Sequence, residues 1–224
     1  MSVAKETQPA AGQAIETQWL AEREELVSNL KHNLRDPRVL AAFRHVPRHL
    51  FVPEAERALA YRDTALPIGY GQTISQPSML AIMLIALDLK PADRVLEIGA
   101  GSGYAAALLA ELAHEVYALE IVPELAARAA SRLSELGYTR ARVLAANGRE
   151  GLPEHAPYTK ILVSAGAHDV PPELARQLAP GGTLVIPVGD ESGQTLLIGH
   201  KDASGELRFE RSIACIFVPL VAHR

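Results

Sequence analysis

Short apolar runs rich in Val, Ile and Leu alternate with helical patterns from residue 93 onward, and this alternation constrains the fold more than any other feature. The runs read RVLEIG, EVYALEI, ARVLAA, KILVSAG and GTLVIPVG, and helical patterns lie near residues 103–112, 123–136 and 171–178. Such strands, separated by helices, are typical of a parallel sheet covered on both faces. TLLIGHK and RSIACIFVPL, on either side of the turn signal DASGE, predict a closing antiparallel hairpin. The sequence therefore predicts a three-layer α/β sandwich with a mostly parallel sheet of about seven strands.

Helical patterns fill the part of the chain before this region. Residues 16–34 carry apolar side chains at helical spacing, and DPRVLAAF places Asp36 at the N-cap of a second helix. VPEAERALAY starts a third short helix at Pro53. The small and polar residues 1–15 are expected to be disordered. We therefore expect a single domain over residues 16–224, with a helical section at 16–92 and the sheet at 93–224.

Composition excludes several classes of protein. The 224 residues are 48% hydrophobic and carry a net charge of -4 without a block of Lys or Arg, which argues against nucleic acid as a partner. No apolar run reaches the roughly 18 residues of a membrane span, and no secretory signal is present. A single cysteine, Cys215, suits a reducing compartment. We therefore expect a cytoplasmic monomer. We also expect no metal site, since Pro47 interrupts the helical spacing of His45 and His49.

The first apolar run continues into a glycine-rich loop, AGSGYAAALLAEL. Gly99, Gly101 and Gly103 let the backbone turn sharply and approach a ligand where a Cβ atom would clash. Dinucleotide-binding sheets use the related spacing G-x-G-x-x-G, in which the following helix faces a pyrophosphate. Here the third glycine comes one residue earlier. This spacing suits a ligand that has a charged amino-acid portion and no pyrophosphate.

Polar residues near the ends of the strands complete a predicted nucleoside site. Glu120 ends the run EVYALEI, where a carboxylate can accept hydrogen bonds from both ribose hydroxyls. Glu97 lies in an otherwise apolar strand, so it requires a partner or a place at the mouth of the sheet. Asn147 and Gly148 follow the third run, where an amide can bind an adenine edge. By itself, however, Asn-Gly is an ordinary turn signal.

Several stretches together resemble one enzyme family. VLEIGAGSGY, ALEIVPELAARA, GQTISQP, LAPGGTLVIPVG and FVPLV closely resemble protein-L-isoaspartate O-methyltransferases, and RHLFVPEAERALAYRDTALPIG is similar to the front section of that family. The resemblance, which covers residues from about 20 to 221, implies a Rossmann-like methyltransferase fold. It also implies methyl transfer from S-adenosylmethionine, with S-adenosylhomocysteine as the product. The implied acceptor is the α-carboxylate of L-isoaspartyl residues in damaged proteins and peptides, whose ester then cyclises to a succinimide.

The resemblance assigns roles to individual residues. The catalytic serine of the family falls on Ser75. The positions implied to bind the cofactor are Gln72, Thr73, Ile74, Ser75, Glu97, Gly99, Gly101, Gly103, Glu120, Ile121, Asn147 and Gly148, and those implied to contact substrate are Ile68, Gly69 and Val221. The usual family pattern Gly-Asp-Gly is replaced here by Ala146-Asn147-Gly148. Because a neutral hydrogen bond is weaker than a charged one, we expect a modest loss of cofactor affinity.

Residues 66–80, LPIGYGQTISQPSML, form a long polar connection between two helical patterns. Methyl transfer to a carboxylate needs no general base, because the acceptor is already ionised at neutral pH. It needs an oxygen held in line with the methyl carbon, and such positioning can lower a barrier by roughly 7–11 kcal/mol. Prolines stiffen both ends of the segment, while Gly69 and Gly71 permit close backbone approach. Ser75 precedes a helix, so we expect its hydroxyl and the free N–H groups there to hold the acceptor.

Other interpretations compete with this one. A related enzyme could methylate another peptide carboxylate, a regulatory protein could keep the nucleoside pocket without turnover, and a nicotinamide-dependent oxidoreductase could use the glycine loop. Ser75 could also serve only as a helix cap. The intact GQTISQP argues against a pure binding protein, and the early Gly103 argues against the oxidoreductase.

Overall fold

The computed structural model describes residues 11–190 and 192–222, and its first section is helical. Helices α1 (Ala11–Asn33) and α2 (Pro37–His45) are followed by two short 3-10 helices, Arg48–Phe51 and Glu54–Leu59. Asp36 caps α2 as predicted, since its carboxylate accepts hydrogen bonds from the backbone N–H of Arg38 at 2.9 Å and of Val39 at 3.1 Å. These contacts satisfy two of the donors that a helix start leaves free.

Two details of this section differ from the prediction. Residues 11–15 are helical, because Ala and Gln have high helix propensity and extend α1 towards the N-terminus. The rest of the predicted disordered tail, residues 1–10, lies outside the described residues. The segment after Pro53 forms a 3-10 helix instead of an α-helix, as short helical pieces that bury no side chain often do.

A small hairpin follows this section. Its strands β1 (Leu66–Gly69) and β2 (Gln72–Ile74) are antiparallel and pair Leu66 with Ile74. The turn between them has positive φ at Gly69, Tyr70 and Gly71, with values of 93°, 55° and 68°. The two glycines therefore make a tight turn, and a Cβ on Gly69 would have no protein atom within 4 Å.

Seven further strands form the main sheet, which confirms the predicted fold class. They are β3 (Arg94–Ile98), β4 (Glu115–Glu120), β5 (Ala141–Ala145), β6 (Tyr158–Val163), β7 (Leu178–Asp190), β8 (Gly193–Lys201) and β9 (Leu207–Cys215), in the order β5-β4-β3-β6-β7-β8-β9. The pairs from β5 to β7 are parallel, and β8 and β9 are antiparallel. Strand β9 starts earlier than predicted, because Leu207 pairs with Lys201 directly across the turn.

Helices cover this sheet on both faces. They are α3 (Pro77–Leu87), α4 (Tyr104–Leu112), α5 (Pro123–Glu135) and α6 (Pro172–Gln177), with a 3-10 helix at Pro153–His155. Successive side chains of a strand point to opposite faces. Val95 accordingly joins a core that contains side chains of α1 to α5, whereas Leu96 and Ile98 join a second core with α6. Glu97 alternates with these residues and is fully buried.

Two negative observations apply to the described residues. Among them, no helix combines the length and the apolar character that a transmembrane span requires. The same part of the chain holds no cluster of three or more His, Cys, Asp or Glu side chains that could bind a metal ion.

The buried side chain of His49 makes the front section sensitive to acid. Its ring stacks on Trp19 with centroids 4.0 Å apart, and its Nδ1 lies 2.7 Å from the Tyr61 hydroxyl. Burial lowers the pKa of His49 to about 4, and the charges of Arg23 and Arg57 act in the same direction. In the unfolded chain the pKa of this histidine is 6.5. Between about pH 4 and pH 6.5 the unfolded chain therefore binds more protons than the folded chain.

We expect the free energy of unfolding to fall as the pH is lowered from about 6.5 to about 4, by on the order of 1–3 kcal/mol from this residue. Urea unfolding of the wild type and of His49→Gln at several pH values measures this slope, which should be shallower in the variant. His45→Gln serves as the control, since that side chain is 78% exposed. An identical slope in the wild type and His49→Gln would show that His49 is not the acid-sensitive group.

Candidate active site

The strand order places a crevice beside the central strand β3. The chain continues from β3 to β4 and β5 on one side, and then crosses to β6 and β7 on the other. Open α/β sheets bind their ligands at such a switch point, outside the carboxyl ends of the strands. The loops that follow β3 and β6 border this crevice. They contain the glycine loop, residues 99–103, and Ser164.

The glycine loop has the conformation that its sequence predicts. Gly99, Gly101 and Gly103 have φ values of 84°, 52° and 85°, a region that other residues rarely adopt. Packing imposes a second constraint at two of these positions. A Cβ on Gly103 would lie 3.1 Å from the Cβ of Ala129, and one on Gly101 would lie 3.2 Å from Cδ1 of Ile68. The loop therefore passes close to both α5 and the hairpin.

Glu120 is held by the backbone at the end of β4. Its Oε2 accepts a hydrogen bond from the N–H of Gly101 at 2.8 Å, and its Oε1 accepts one from the N–H of Val122 at 3.0 Å. These charge-assisted bonds fix the orientation of the carboxylate. Each oxygen keeps further acceptor capacity, so a diol at this point can still be bound.

Glu97 lies on the other side of the glycine loop and has no such support. Its side chain is fully buried, and neither carboxyl oxygen has a hydrogen-bond partner among the described residues. Burial raises the pKa of Glu97 well above its ordinary value, and the charge of Glu120 adds to the effect. The Oγ of Ser164 is likewise buried without a partner. Unsatisfied buried groups are uncommon, and a ligand with a cationic, hydrogen-bonding portion would satisfy both.

Two narrow cavities adjoin the glycine loop. One, of about 30 Å³, is lined by residues that include Thr73, Ile74, Ser75, Glu97, Gly99, Gly101 and Ser164. The other, of about 40 Å³, is lined by residues that include Gln72, Thr73, Gly99, Gly101, Glu120, Ile121, Gly148 and Val221. Small-molecule sites usually measure roughly 300–1,000 Å³. Both cavities are smaller than that, so neither holds a whole nucleoside in this conformation.

Ser75 follows β2 and precedes α3. The N-cap residue of α3 is Gln76, without a capping side-chain bond, so Ser75 does not cap this helix. Its hydroxyl makes no hydrogen bond within the described part of the chain. The helix start is less available than predicted, because Asp63 accepts a hydrogen bond from the N–H of Ser78 at 2.8 Å. The Ser75 hydroxyl is therefore better placed than the N–H groups at the start of α3 to donate a hydrogen bond to a bound carboxylate.

The segment after β9 folds over the carboxyl end of the sheet. The N–H of Gly166 donates to the carbonyl of Val218 at 2.8 Å, and the N–H of Leu220 donates back to Gly166 at 2.7 Å. Gln194 accepts a hydrogen bond from the N–H of Phe217 at 2.7 Å. These bonds hold Val221 beside the wider of the two cavities, together with Glu120 and Gly148, whereas the groove next to Ser75 does not contain it.

A groove of about 500 Å³ opens next to Ser75. Its walls include Thr73, Ser75 and Met79 on one side, and Gln194 and Ile216 on the other. The Ile216 side chain is 81% exposed. A larger groove of about 820 Å³, between α1 and α3, contains none of the predicted site residues.

Four predicted residues line none of these cavities: Ile68, Gly69, Gly103 and Asn147. Ile68 is buried against the glycine loop, so it supports the loop and does not face the groove. The amide of Asn147 donates to Glu150 at 2.8 Å, and its oxygen accepts from the N–H of Arg149 at 3.0 Å. An aspartate at this position would place a like charge against Glu150. Asn147, which replaces the aspartate of the family pattern, therefore donates a hydrogen bond to Glu150 where an aspartate would repel it.

Comparison with known proteins identifies the family. A family model described as protein-L-isoaspartate(D-aspartate) O-methyltransferase matches residues 21–224. A protein-L-isoaspartate O-methyltransferase of Synechococcus sp. (strain JA-2-3B'a(2-13)) is 50% identical over 212 residues, which cover 91% of this chain and 86% of that protein. The chain belongs to the protein-L-isoaspartate(D-aspartate) O-methyltransferase family. It is an S-adenosylmethionine-dependent methyltransferase, which excludes the nicotinamide-dependent oxidoreductase.

Solved structures of protein-L-isoaspartate O-methyltransferases agree with this identification. One has a TM-score of 0.82 and 28% identity, covering 88% of this chain and 65% of that one. Another, from Plasmodium falciparum, was solved in complex with S-adenosyl-L-homocysteine. It has a TM-score of 0.79 and 26% identity, covering 90% of this chain and 99% of that one. The fold and the family predicted from the sequence are thus confirmed.

The unpartnered Glu97 yields a prediction for the methyltransferase. The raised pKa of Glu97 means that the folded chain keeps a proton that the unfolded chain loses near pH 4.5. Ionising Glu97 at higher pH therefore destabilises the fold. Glu97→Gln should weaken the decline of the free energy of unfolding as the pH rises above 4.5. It should also weaken binding of S-adenosylhomocysteine about tenfold or more, because a neutral amide cannot pair with an ammonium group.

Chemical unfolding at several pH values and calorimetric titration with S-adenosylhomocysteine measure the two effects. Glu135→Gln, at a side chain that is 62% exposed, is the control and should change neither. Unchanged affinity in Glu97→Gln would remove Glu97 from the cofactor site.

Proposed function

We propose that this chain transfers a methyl group from S-adenosylmethionine to the α-carboxylate of L-isoaspartyl residues in damaged proteins, and that Ser75 holds the acceptor. The observation that supports the assignment is the cavity where Ser75, Glu97 and the glycine loop meet. It combines the unpartnered carboxyl group of Glu97, a loop that lacks a Cβ at two glycines, and the Ser75 hydroxyl, which makes no hydrogen bond within the described residues. A methyl donor and an acceptor carboxylate would complete this set.

The cofactor side of the site follows from the charges of its residues. When bound, S-adenosylmethionine supplies an electrophilic methyl group on a sulfonium. Glu97 would pair with the ammonium of its methionine portion, and the glycine loop would lie beneath it. Glu120, oriented by Gly101 and Val122, would accept the ribose hydroxyls. Ile121 and Gly148 would contact the adenine, where a Cβ on residue 148 would collide with Ile98.

The acceptor side consists of β2 and the groove beside it. Along β2, the side chain of Ile74 is buried, while Thr73 and Ser75 both line the groove of about 500 Å³. An extended peptide would lie in this groove between Ser75 and the segment that contains Ile216. The open groove accepts many flanking side chains, as a repair enzyme requires. Ser164 lines this groove and both cavities, so its hydroxyl is available to either ligand.

Methyl transfer at this site is a positioning reaction. The acceptor carboxylate is ionised at neutral pH, so no side chain has to remove a proton. The Ser75 hydroxyl can donate a hydrogen bond to one carboxylate oxygen and leave the other directed at the methyl group. The hairpin and residues 218–221 would exclude water from the reacting atoms. The methyl ester formed then cyclises to a succinimide without further catalysis.

We also propose that the enzyme acts as a cytoplasmic monomer with a single domain. A continuous core that contains side chains of α1, α2 and the sheet supports the single domain. The free, buried Cys215 supports a reducing compartment, and the net charge of -4 argues against nucleic acid as a partner.

Paired peptides test the substrate assignment. One peptide contains L-isoaspartate and the other contains aspartate at the same position, and both are incubated with labelled S-adenosylmethionine. We expect a labelled methyl ester on the isoaspartyl peptide alone. Labelling of the aspartyl peptide would instead indicate a related carboxyl methyltransferase. Labelling of neither peptide, with intact binding of S-adenosylhomocysteine, would indicate a binding protein without turnover.

The proposed role of Ser75 gives a second test. Ser75→Ala should lower kcat for the isoaspartyl peptide by roughly 10- to 100-fold, because the acceptor loses its anchor. The dissociation constant of S-adenosylhomocysteine should change by less than about threefold. Ser78→Ala is the matched control, since Ser78 lies in the first turn of α3 and lines the groove between α1 and α3. Equal losses of turnover and cofactor affinity in Ser75→Ala would contradict the role.

A further inference from the structure

A buried arginine reaches the backbone of the proposed catalytic residue. Arg48 has no exposed surface, and its Nη2 donates hydrogen bonds to the carbonyl of Ser75 at 2.9 Å and to that of Thr64 at 3.3 Å. Its Nε donates to the carbonyl of Ala60 at 2.8 Å. The guanidinium carbon lies 4.9 Å from the ring centre of Tyr104, the first residue of α4 after the glycine loop. One side chain thus joins the front section, the segment after β2 and the start of α4.

This guanidinium is unusual because no carboxylate of the described residues lies within ion-pair distance of it. Within the described residues, Arg48 forms no ion pair, and its Nη1 makes no hydrogen bond. Burial lowers the pKa of Arg48, as expected for a desolvated cation. A buried charge of this kind is costly unless other groups replace its hydration. Three backbone carbonyls replace that hydration here. One of them belongs to Ser75, so Arg48 holds the backbone of that residue in place.

A second charged residue of the front section binds the next residues along the chain. Asp63 accepts hydrogen bonds from the N–H of Ser78 at 2.8 Å and from Nε2 of Gln76 at 3.2 Å. Its negative charge also favours the charged form of Arg48. Arg48 and Asp63, which we call the Arg48–Asp63 clamp, therefore hold residues 75–78 at three points.

Neither residue of the clamp lines the cavities at the glycine loop or the groove beside Ser75. Both act on the backbone and side chains of residues 75–78, and they leave the hydroxyl of Ser75 free. We propose that Arg48 and Asp63 are positioning residues for methyl transfer, which keep the Ser75 hydroxyl directed at the acceptor carboxylate. The proposal rests on the role of Ser75 in the proposed function.

The physical basis of the effect is geometric. Transfer requires the acceptor oxygen to stay in line with the methyl carbon, and a displacement of about 1 Å can lower the rate about 100-fold. Ser75 and Gln76 connect a short hairpin strand to the first turn of α3, so the position of Ser75 is not set by a continuous ladder of hydrogen bonds. The clamp supplies that constraint from the front section.

Two substitutions weaken the clamp in different ways. Arg48→Lys keeps the positive charge but cannot donate to three carbonyls in the planar geometry of a guanidinium. Asp63→Ala removes both contacts of a side chain at an exposed residue, so this variant retains the fold and tests the proposal even if Arg48→Lys does not fold. Arg38→Lys is the matched control, because Arg38 donates to the carbonyl of Leu89 at 2.6 Å, away from residues 75–78.

A double-mutant cycle with Ser75→Ala distinguishes positioning from general stability. In the Ser75 background, each clamp variant should lower kcat by on the order of tenfold or more, while the KM for S-adenosylmethionine changes by less than about threefold. In the Ser75→Ala background the same substitution should lower kcat by less than about twofold, because the group it positions is absent. Arg38→Lys should leave kcat unchanged in both backgrounds.

The possible results distinguish the role of Ser75 from the positioning role of Arg48 and Asp63. If Ser75→Ala alone does not lower kcat, the proposed function of Ser75 fails, and the role of the clamp fails with it. If Ser75→Ala lowers kcat but the clamp variants cause the same loss in both backgrounds, only the positioning role is overturned. Wild-type kcat in a folded Asp63→Ala or Arg48→Lys variant would overturn the role of that residue.

Discussion

The carboxyl group of Glu97 is buried at the carboxyl end of β3 without a hydrogen-bond partner in the described chain, and the rest of the site is arranged around it. Such a group destabilises a fold unless a ligand or a proton compensates it. The glycine loop leaves room for a ligand beside it, and Glu120 faces the same loop with its own orientation fixed. The sheet thus keeps a locally unfavourable arrangement that a cationic cofactor relieves, as strained functional sites often do.

In the proposed function, the two halves of the chain divide the reaction between them. The sheet supplies the cofactor side through loops after β3, β4 and β5, whose positions follow from parallel pairing. The hairpin that follows the front section supplies the acceptor side together with Ser75. The two sides meet where Ile68 packs against Gly101 and where Arg48 lies over Tyr104. Because methyl transfer depends on alignment, these contacts between the halves determine whether a bound donor and acceptor react.

The sequence predicted features that depend on neighbouring residues. Periodicity gave the strands and α3 to α6, and Asp36 marked the start of α2 through a local cap. Residues far apart in sequence escaped prediction. Arg48 reaches Ser75 across 27 positions, and Asp63 reaches Ser78 across 15, so neither pattern nor propensity carries a signal for them. The burial of Ile68 against Gly101 also escaped prediction, because it depends on an irregularity in the pairing of β1 with β2 at this residue.

The most direct measurement is a structure of the enzyme bound to S-adenosylhomocysteine and an L-isoaspartyl peptide. The account predicts the Ser75 hydroxyl within hydrogen-bond distance, about 2.5–3.0 Å, of one acceptor carboxylate oxygen. The other oxygen should face the sulfur atom above the glycine loop. A complex in which the Ser75 hydroxyl points away, with the carboxylate held by other groups, would contradict the central claim.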